Sequence, residues 1–477
     1  MPDRRFFAFA LIGATSLVTW QATQGAKPKD EMLELYGVFA EAVEQVEANY
    51  VRPVSRKELL ETALQGMLQN LDPHSQFINT SEWKAFKRKI EGRFGGIGIT
   101  VEMDPTGRPR VVAPMVGTPA YEAGILAGDL IVEIDGESTE GITPDKAVDA
   151  LSGRPGTAVK LSVLHEGEEK PENITINRAI IDVPSVLGDV RKGNDDWDFM
   201  IDKDKKIAYI RISSFIQNTT EELKKALAEL KSEGVKGLVL DLRDNPGGLL
   251  SSAVEVSDLF VDDGTIVSTK GRNTPKKTFE AHKEGNPNDY PIVVLINQGS
   301  ASAAEIVSAC LQDHKRAVIV GHRSFGKGSV QNIFDLDDGN SVLKLTVASY
   351  FRPSGKNIHR FKNAKKSDEW GVSPDEGMAV ELTPEQYMAW ARSRRDRDLE
   401  SNAKGRRNKH EDAAKDKPKE DKPKEGKPGP DAKTGAAAKP GDTPAKEEAR
   451  KKPFVDKQLD KALQVIREKL ELATAKK

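Results

Sequence analysis

Cysteine is almost absent from this chain of 477 residues, and its absence excludes two classes of structure. A single cysteine cannot form an intramolecular disulfide, and it cannot supply a zinc site made of several thiolates. A charge imbalance is also missing, because 72 Lys and Arg stand against 74 Asp and Glu and leave a formal net charge of −2. This balance gives no general reason to expect nucleic acid as a partner. The sequence shows no cluster of metal-ligating residues, so we expect neither a metal nor a cofactor.

Long hydrophobic runs are confined to the N-terminus. Arg4 and Arg5 precede an uncharged, mostly apolar segment at residues 6–20. A basic start followed by about 7–15 apolar residues is typical of a secretory signal peptide, whereas a membrane-spanning helix needs about 20. We therefore expect export, either to the periplasm or to the outer face of the cytoplasmic membrane. Residues 1–26 are then a cleaved signal peptide or an N-terminal anchor that attaches the protein to the membrane.

The length predicts about three domains, and three segments have the composition of folded protein. Residues 27–90 carry apolar residues at helical spacing, with Ser55 and Glu58 at the spacing of a capping box. Residues 91–180 contain short β-like runs separated by Gly, Pro and Asp turns. Residues 181–400 alternate strands and helices, which predicts an α/β core with buried strands.

The remaining segments are a linker and a helix. Residues 401–450 are rich in Lys, Asp and Glu and contain no Val, Ile, Leu, Met or aromatic residue. Such a segment cannot offset its ordering entropy by burial, so we predict a disordered mixed-charge linker at 401–452. Residues 453–477 form an amphipathic helix with an apolar stripe through Leu459, Leu463 and Ile466. This helix must pack on another surface, and the core of the same chain is the simplest candidate.

Two serines, Ser300 and Ser302, lie between a buried strand and a helix. A serine at such a turn lies beside the unpaired N–H groups of the first helical turn, which can stabilise an oxyanion. The alternative is an ordinary helix N-cap. A nucleophilic serine also needs a base, and none of the seven histidines forms a compelling Ser/His/Asp pattern. A desolvated lysine is another possible base, and Lys327 follows a predicted strand among small residues.

The same lysine also ends a second motif, because residues 321–327 match the G-x-x-x-x-G-K of a phosphate-binding loop. Gly328 stands where the Ser or Thr that binds Mg²⁺ belongs. Residues 329–334 look like a strand, so no helix N-terminus follows to hold phosphates. ATP or GTP binding is therefore the least favoured of the hypotheses.

Several motifs, taken in order, resemble the carboxy-terminal processing peptidases, the tail-specific family of Ser/Lys serine peptidases. The resemblance covers about residues 30–395 and resumes in the C-terminal helix. It implies an α/β peptidase core of the Clp-protease/crotonase-like kind, with an inserted β-rich PDZ domain and an N-terminal helical region. The motifs are Leu71-Asp72-Pro73-His74-Ser75, Phe94-Gly95-Gly96-Ile97-Gly98-Ile99, Asp241-Leu242-Arg243-Asp244-Asn245-Pro246-Gly247-Gly248, Gly299-Ser300-Ala301-Ser302-Ala303-Ala304-Glu305-Ile306 and Phe325-Gly326-Lys327-Gly328.

The resemblance assigns roles by position. It implies that Ser302 is the nucleophile, that Lys327, 25 residues later, is the general base, and that Gln331 orients the lysine. If Lys327 and Gln331 share one extended strand, both point to the same face. The implied oxyanion donors are the N–H of Ala303 and the N–H of Gly247 or Gly248.

Residues 91–180 resemble a PDZ domain, with Gly96, Ile97, Gly98 and Ile99 as its carboxylate-binding loop. Successive backbone N–H groups in such a loop can bind an anion, and the adjacent strand edge can pair with an extended peptide. The implied partners are protein substrates with accessible, apolar C-termini.

These observations predict an exported serine endopeptidase that recognises C-terminal tails through its PDZ domain and cleaves through an acyl-enzyme. The alternative is an inactive peptidase core that serves as a PDZ adaptor binding protein C-termini. The helices at 30–88 and 454–472 either form a homodimer interface, as the resemblance suggests, or cover the core of their own chain.

Overall fold

The computed structural model describes residues 31–192, 196–282, 289–365, 367–399 and 454–475. These described residues divide into two units, one of residues up to 80 with 331–346 and the other of residues 81–330 with those from 347 onward. The expected signal segment at 1–26 and the expected linker at 401–452 lie outside the described residues. Among the residues that are described, no helix combines the length and the apolar character needed to span a bilayer.

The described residues contain ten α-helices. They are α1 (Glu31–Asn49), α2 (Arg56–Gln69), α3 (Thr80–Glu91), α4 (Pro119–Glu122), α5 (Pro144–Leu151), α6 (Thr219–Ser232), α7 (Leu250–Asp258), α8 (Ala303–Asp313), α9 (Pro384–Leu399) and α10 (Lys457–Ala475).

The strands fall into a β-rich group before residue 183 and a mixed group after it. They are β1 (Gln76–Ile78), β2 (Arg93–Gly96), β3 (Ile99–Met103), β4 (Pro109–Pro114), β5 (Leu130–Ile134), β6 (Glu137–Ser138), β7 (Ala158–Leu164), β8 (Glu172–Asn177), β9 (Ala179–Asp182), β10 (Val186–Leu187), β11 (Val190–Arg191), β12 (Trp197–Asp198), β13 (Met200–Asp202), β14 (Ile207–Ile212), β15 (Gly237–Asp241), β16 (Thr265–Lys270), β17 (Lys277–Glu280), β18 (Ile292–Ile296), β19 (Ala317–Gly321), β20 (Ser329–Leu336) and β21 (Ser341–Phe351).

The first unit combines α1, α2 and β1 with most of the β20–β21 hairpin. Ser55 occupies the N-cap of α2 and accepts the N–H of Glu58 at 3.5 Å, at the spacing that predicted a helix start. Strand β1 pairs antiparallel with β21, with Phe77 opposite Leu343. Phe77 is buried, whereas α1 leaves most of its large apolar side chains exposed.

The second unit begins with a β-rich module. Strands β3, β4, β5, β7 and β8 form an antiparallel sheet in that order, so β3 lies at an edge. Its core packs Ile97, Val111, Ile131 and Leu161 together. Strands β2 and β9 pair antiparallel where the chain enters and leaves the module. The short strands separated by turns are therefore where the sequence predicted them.

The rest of the second unit is built on a central sheet. Strands β14, β15, β18 and β19 lie parallel and adjacent in that order, and the short strands β10 and β13 pair antiparallel with β14. Alternate residues of β14 face opposite sides, because Ala208 packs with helices α6, α7 and α8 while Tyr209 packs with α10. The sheet is covered on both faces, which explains the nearly continuous apolar runs of its strands.

Helix α10 covers the second face of this sheet. Its Leu459, Ala462, Val465 and Ile466 are buried against strand residues that include Val293. The prediction that the C-terminal helix packs on the core of its own chain is confirmed.

Candidate active site

Three segments of interest leave the same edge of the central sheet. Residues 242–248 follow β15, residues 297–302 follow β18, and residues 322–327 follow β19. These three strands are parallel neighbours, and ligands of open α/β sheets bind outside the carboxyl ends of the strands. The topology therefore brings three of the sequence motifs to one edge.

Ser302 stands at the turn between β18 and α8, in a conformation that L-residues rarely adopt. Its φ of 55° and ψ of −112° differ from the extended backbone usual at an N-cap. Strained residues of this kind persist only where their surroundings hold them, and they cluster at functional sites. Ser300 differs, because its hydroxyl donates to Leu242 O at 2.7 Å and accepts from Asn297 N at 2.9 Å. Ser300 is therefore committed to holding the turn.

A buried carboxylate, Glu305 on the first turn of α8, joins the serine turn to the lysine segment. Its Oε2 accepts the N–H of Ser302 at 2.8 Å and the N–H of Lys327 at 2.8 Å. Its Oε1 accepts the hydroxyl of Ser324 at 2.5 Å and the N–H of Gly326 at 2.6 Å. Burial raises the pKa of Glu305, and the hydrogen bonds it accepts oppose that rise. One carboxylate thus fixes the positions of both backbone segments.

The loop after β15 approaches the serine turn closely. A Cβ on Gly247 would lie 2.7 Å from Ser302 Cβ, and a Cβ on Gly248 would lie 2.0 Å from Phe215 O. Both glycines also have positive φ, 95° and 145°, so a side chain at either position would be strained and sterically blocked. Only glycine fits these two positions.

The backbone N–H groups of this loop differ in their availability. The N–H of Gly247 donates to Asn245 Oδ1 at 2.8 Å, so it is already used. The N–H groups of Gly248 and Ala303 donate to no residue that the structure describes. Gly248 is therefore a better candidate than Gly247 to bind an anion together with Ala303.

Lys327 is half-buried and lies two residues before β20. Phe325 donates its N–H to Ser300 O at 2.9 Å, so the lysine segment lies against the serine turn. Because a strand follows Lys327, no helix N-terminus is present there to hold a nucleotide phosphate. The phosphate-loop hypothesis has no structural support at this position.

A fully buried cation, Arg243, lies directly before the glycine loop. It pairs with Asp241 at 2.6 Å and with Asp456 at 2.9 Å, and it also donates to Gln458 at 3.2 Å. Burial alone would lower the pKa of Arg243, but these two carboxylates raise it well above its ordinary value. Asp456 and Gln458 precede or begin α10, so this cluster ties the C-terminal helix to the base of the glycine loop.

Gln331 belongs to the first unit, where its side chain joins a hydrogen-bond network with Thr346 and Asp72. Its amide donates to Thr346 Oγ1 at 3.2 Å, and that hydroxyl donates to Asp72 Oδ1 at 3.1 Å. Asp72 also accepts the hydroxyl of Ser75 at 2.6 Å. Partial burial would raise the pKa of Asp72, but the bonds from Ser75, His74 and Thr346 lower it. The Leu71–Ser75 motif therefore holds Thr346 on β21, and Thr346 in turn accepts the amide of Gln331 on β20. The proposed role of Gln331 toward the lysine stays a prediction.

The proposed carboxylate-binding loop of the β-rich module connects β2 with the edge strand β3. Gly96 ends β2, Gly98 has a φ of 81°, and Ile99 begins the edge strand β3. The N–H groups of Ile97 and Gly98 donate to no described residue, although both carbonyls accept hydrogen bonds. The role of these residues in peptide binding stays a prediction.

Comparison with known proteins gives three family matches. Residues 206–377 match peptidase family S41, residues 110–164 match the PDZ domain, and residues 12–81 match the N-terminal domain of the activating protease CtpB. A carboxy-terminal-processing protease of Bartonella bacilliformis is 37% identical over 406 residues, which cover 84% of this chain and 88% of that protein. This chain belongs to the carboxy-terminal processing proteases of family S41.

Other relatives of the peptidase agree with this assignment. A carboxyl-terminal-processing protease of Synechocystis is 36% identical over 330 residues, which cover 68% of the peptidase and 72% of that protein. Among solved structures, a photosystem II D1 C-terminal processing protease is 31% identical, covers 72% of the peptidase and 92% of its own chain, and has a TM-score of 0.39. The family models and the curated relatives confirm the predicted family, fold class and serine-type peptidase activity.

Three side chains of the peptidase were missed by sequence reasoning. The sequence places Glu305 only within a motif, although a glutamate three residues after a turn serine is a capping-box signal. Asp72 lies in the Leu71–Ser75 motif, which does not by itself reveal the role of this carboxylate. Asp456 lies just before the amphipathic C-terminal helix and belongs to no distinctive sequence pattern. In the described parts of the chain, no group of three or more His, Cys, Asp or Glu side chains is arranged to hold a metal ion.

Proposed function

We propose that the peptidase cleaves peptide bonds with Ser302 as the nucleophile and Lys327 as the general base. The observation that carries this proposal is the single Glu305 oxygen that accepts the N–H of both residues. The strained backbone of Ser302 and the available N–H groups of Ala303 and Gly248 support it further.

The proposed reaction is acyl transfer, in which the same lysine accepts and returns each proton. Neutral Lys327 takes the proton of the Ser302 hydroxyl while Oγ attacks the substrate carbonyl carbon. The N–H groups of Ala303 and Gly248 stabilise the oxyanion. The lysine ammonium then protonates the leaving amine as the C–N bond breaks. Water, deprotonated by the same lysine, hydrolyses the acyl-enzyme and restores Ser302.

We also propose that the PDZ domain selects substrates by their C-termini. The loop at Gly96–Ile99 and the edge strand β3 would hold a free carboxylate and an extended, apolar tail. Relatives named carboxy-terminal processing proteases support this choice of substrate. The proposed location is the periplasm or the outer face of the cytoplasmic membrane, on the basis of the sequence of residues 1–26.

Helix α1 supports a homodimer as the proposed assembly. Its Leu33, Leu35 and Tyr36 are 67%, 61% and 61% exposed, which is unusual for apolar side chains of one helix. Sedimentation of the full chain and of a Leu35→Lys, Tyr36→Lys variant tests this, and an unchanged monomer in both would contradict it.

The decisive experiment measures cleavage of an unstructured protein with an apolar C-terminus by wild type, Ser302→Ala and Lys327→Ala. We expect cleavage by wild type only, with urea unfolding curves showing that both variants are folded. Equal cleavage by all three proteins would place the chemistry elsewhere. A folded wild type that binds such tails without cleaving them would favour the PDZ adaptor.

A further inference from the structure

One surface segment lies directly against the loop that carries Lys327. Arg360 donates its N–H to Gly326 O at 2.8 Å, on the residue before the lysine. On the other side, a Cβ on Gly328 would lie only 2.3 Å from His359 N. His359 and Arg360 are therefore fixed neighbours of the loop that carries the proposed general base, and the chain continues from them to Phe361 and Lys362.

The Arg360 side chain is held in place without neutralisation of its charge. Its guanidinium lies 4.6 Å from the ring centre of Trp370, and the indole N–H of Trp370 donates to Lys365 O at 3.4 Å. This cation–π contact orients the guanidinium but leaves its N–H donors available.

The acidic side chains of the same loop are engaged elsewhere. Glu369 pairs with Lys356 at 2.7 Å, and Asp368 accepts the N–H of Lys365 at 2.8 Å. Among the described residues, no carboxylate lies within ion-pair distance of Arg360 or of the exposed Lys362. The segment thus presents two uncompensated positive charges next to the lysine loop.

Two exposed aromatic rings accompany these charges. Phe361, between the two cations, is 62% exposed, and Phe325, two residues before Lys327, is 50% exposed. The ring of His359 contacts Phe361 edge-to-face at 5.0 Å. Exposed rings beside oriented cations suit a polypeptide that carries both apolar and acidic side chains.

We propose that Arg360 and Lys362 bind an acidic side chain of the substrate close to the scissile bond, with Phe361 and Phe325 contacting its apolar neighbours. This proposal rests on the proposed peptidase mechanism, because the segment is a substrate subsite only if Lys327 serves the reaction. It assigns the peptidase a preference that is separate from recognition of the C-terminus by the PDZ domain.

The test compares two unstructured protein substrates with the same apolar C-terminus. The cleavage site is first mapped by mass spectrometry, and the substrates then carry either Asp or Asn at the residues flanking it. Because both have the same tail, PDZ binding cancels in the ratio of their kcat/KM values. We expect wild type to prefer the Asp substrate by about tenfold, as one charge-assisted contact allows.

The variant is Arg360→Gln with Lys362→Gln, and its ratio of kcat/KM should fall to about one. The matched control is Lys225→Gln with Lys231→Gln, which removes two exposed positive charges from α6 and should keep the wild-type ratio. A wild-type ratio of one, or an equal preference in wild type and the Arg360/Lys362 variant, would overturn the subsite while leaving the peptidase mechanism intact. Failure of wild type to cleave either substrate would overturn the mechanism and the subsite together.

Discussion

Replacing Glu305 with glutamine perturbs the contact on which the proposed active site depends. The substitution keeps the shape of the side chain but turns one acceptor oxygen into an NH₂ donor. In one amide orientation, the N–H groups of Ser302 and Lys327 both face a donor. In the other, the N–H of Gly326 loses its acceptor, while the Ser324 hydroxyl can rotate to accept. The second orientation costs less, because it leaves one buried backbone N–H donor unsatisfied and not two.

The expected size of the effect follows from that count. One buried, unsatisfied donor costs about 1–3 kcal/mol. If this cost falls on the catalytically competent arrangement, kcat/KM drops by roughly 5- to 150-fold. Because Glu305 would act by positioning other groups, most of the loss should appear in kcat, with KM changing little.

The assay is cleavage of an unstructured protein substrate, with urea unfolding of the same samples. Glu137→Gln on the exposed strand β6 is the control, and it should match wild type in both measurements. If Glu305→Gln also matched wild type in kcat/KM and in unfolding midpoint, the positioning role assigned to this carboxylate would be wrong.

Two further predictions concern buried charge. Asp456→Ala removes one of the two carboxylates that pair with Arg243, so urea unfolding should show a free energy of unfolding lower by about 3–5 kcal/mol. The control Asp460→Ala, on the exposed side of α10, should change this free energy little. Equal effects of the two substitutions would contradict the buried-pair argument. The Asp129 carboxylate, 3.0 Å from His165, raises the pKa of that imidazole to about 9. The stabilisation that protonated His165 provides is therefore complete below about pH 6.5 and is lost as the pH rises through 9. Unfolding curves at pH 6, 8 and 10 should show this loss in wild type but not in His165→Gln. A His165 imidazole that titrates near its usual pKa by NMR would refute the prediction.

The sequence was most informative where both faces of a strand are buried. Strands β14, β15, β18 and β19 all lie in the segment predicted to alternate strands and helices, because most of their residues are apolar and buried on both faces of the sheet. The start of helix α8 is similarly clear, since the two turn serines and the buried strand before them both mark it.

The details of the site were not accessible from the sequence. Gly247 and Gly248 are equivalent in the motif, and they differ only because the Asn245 side chain takes the N–H of the first. Glu305 bonds the backbone of Lys327 across 22 residues of sequence, and no periodic pattern encodes that contact. The Arg243–Asp456 pair depends on which face of the sheet the final helix covers, which is decided by packing.

The two residues of the Arg243–Asp456 pair are also synthesised at different times. These residues are 213 apart in sequence, so at ribosomal rates Asp456 follows Arg243 by on the order of 10–40 s. During that interval the Arg243 guanidinium lacks one of its two carboxylate partners. The sheet face that α10 will cover is still exposed to solvent. The growing chain therefore carries its serine and lysine well before the support beneath its glycine loop is complete.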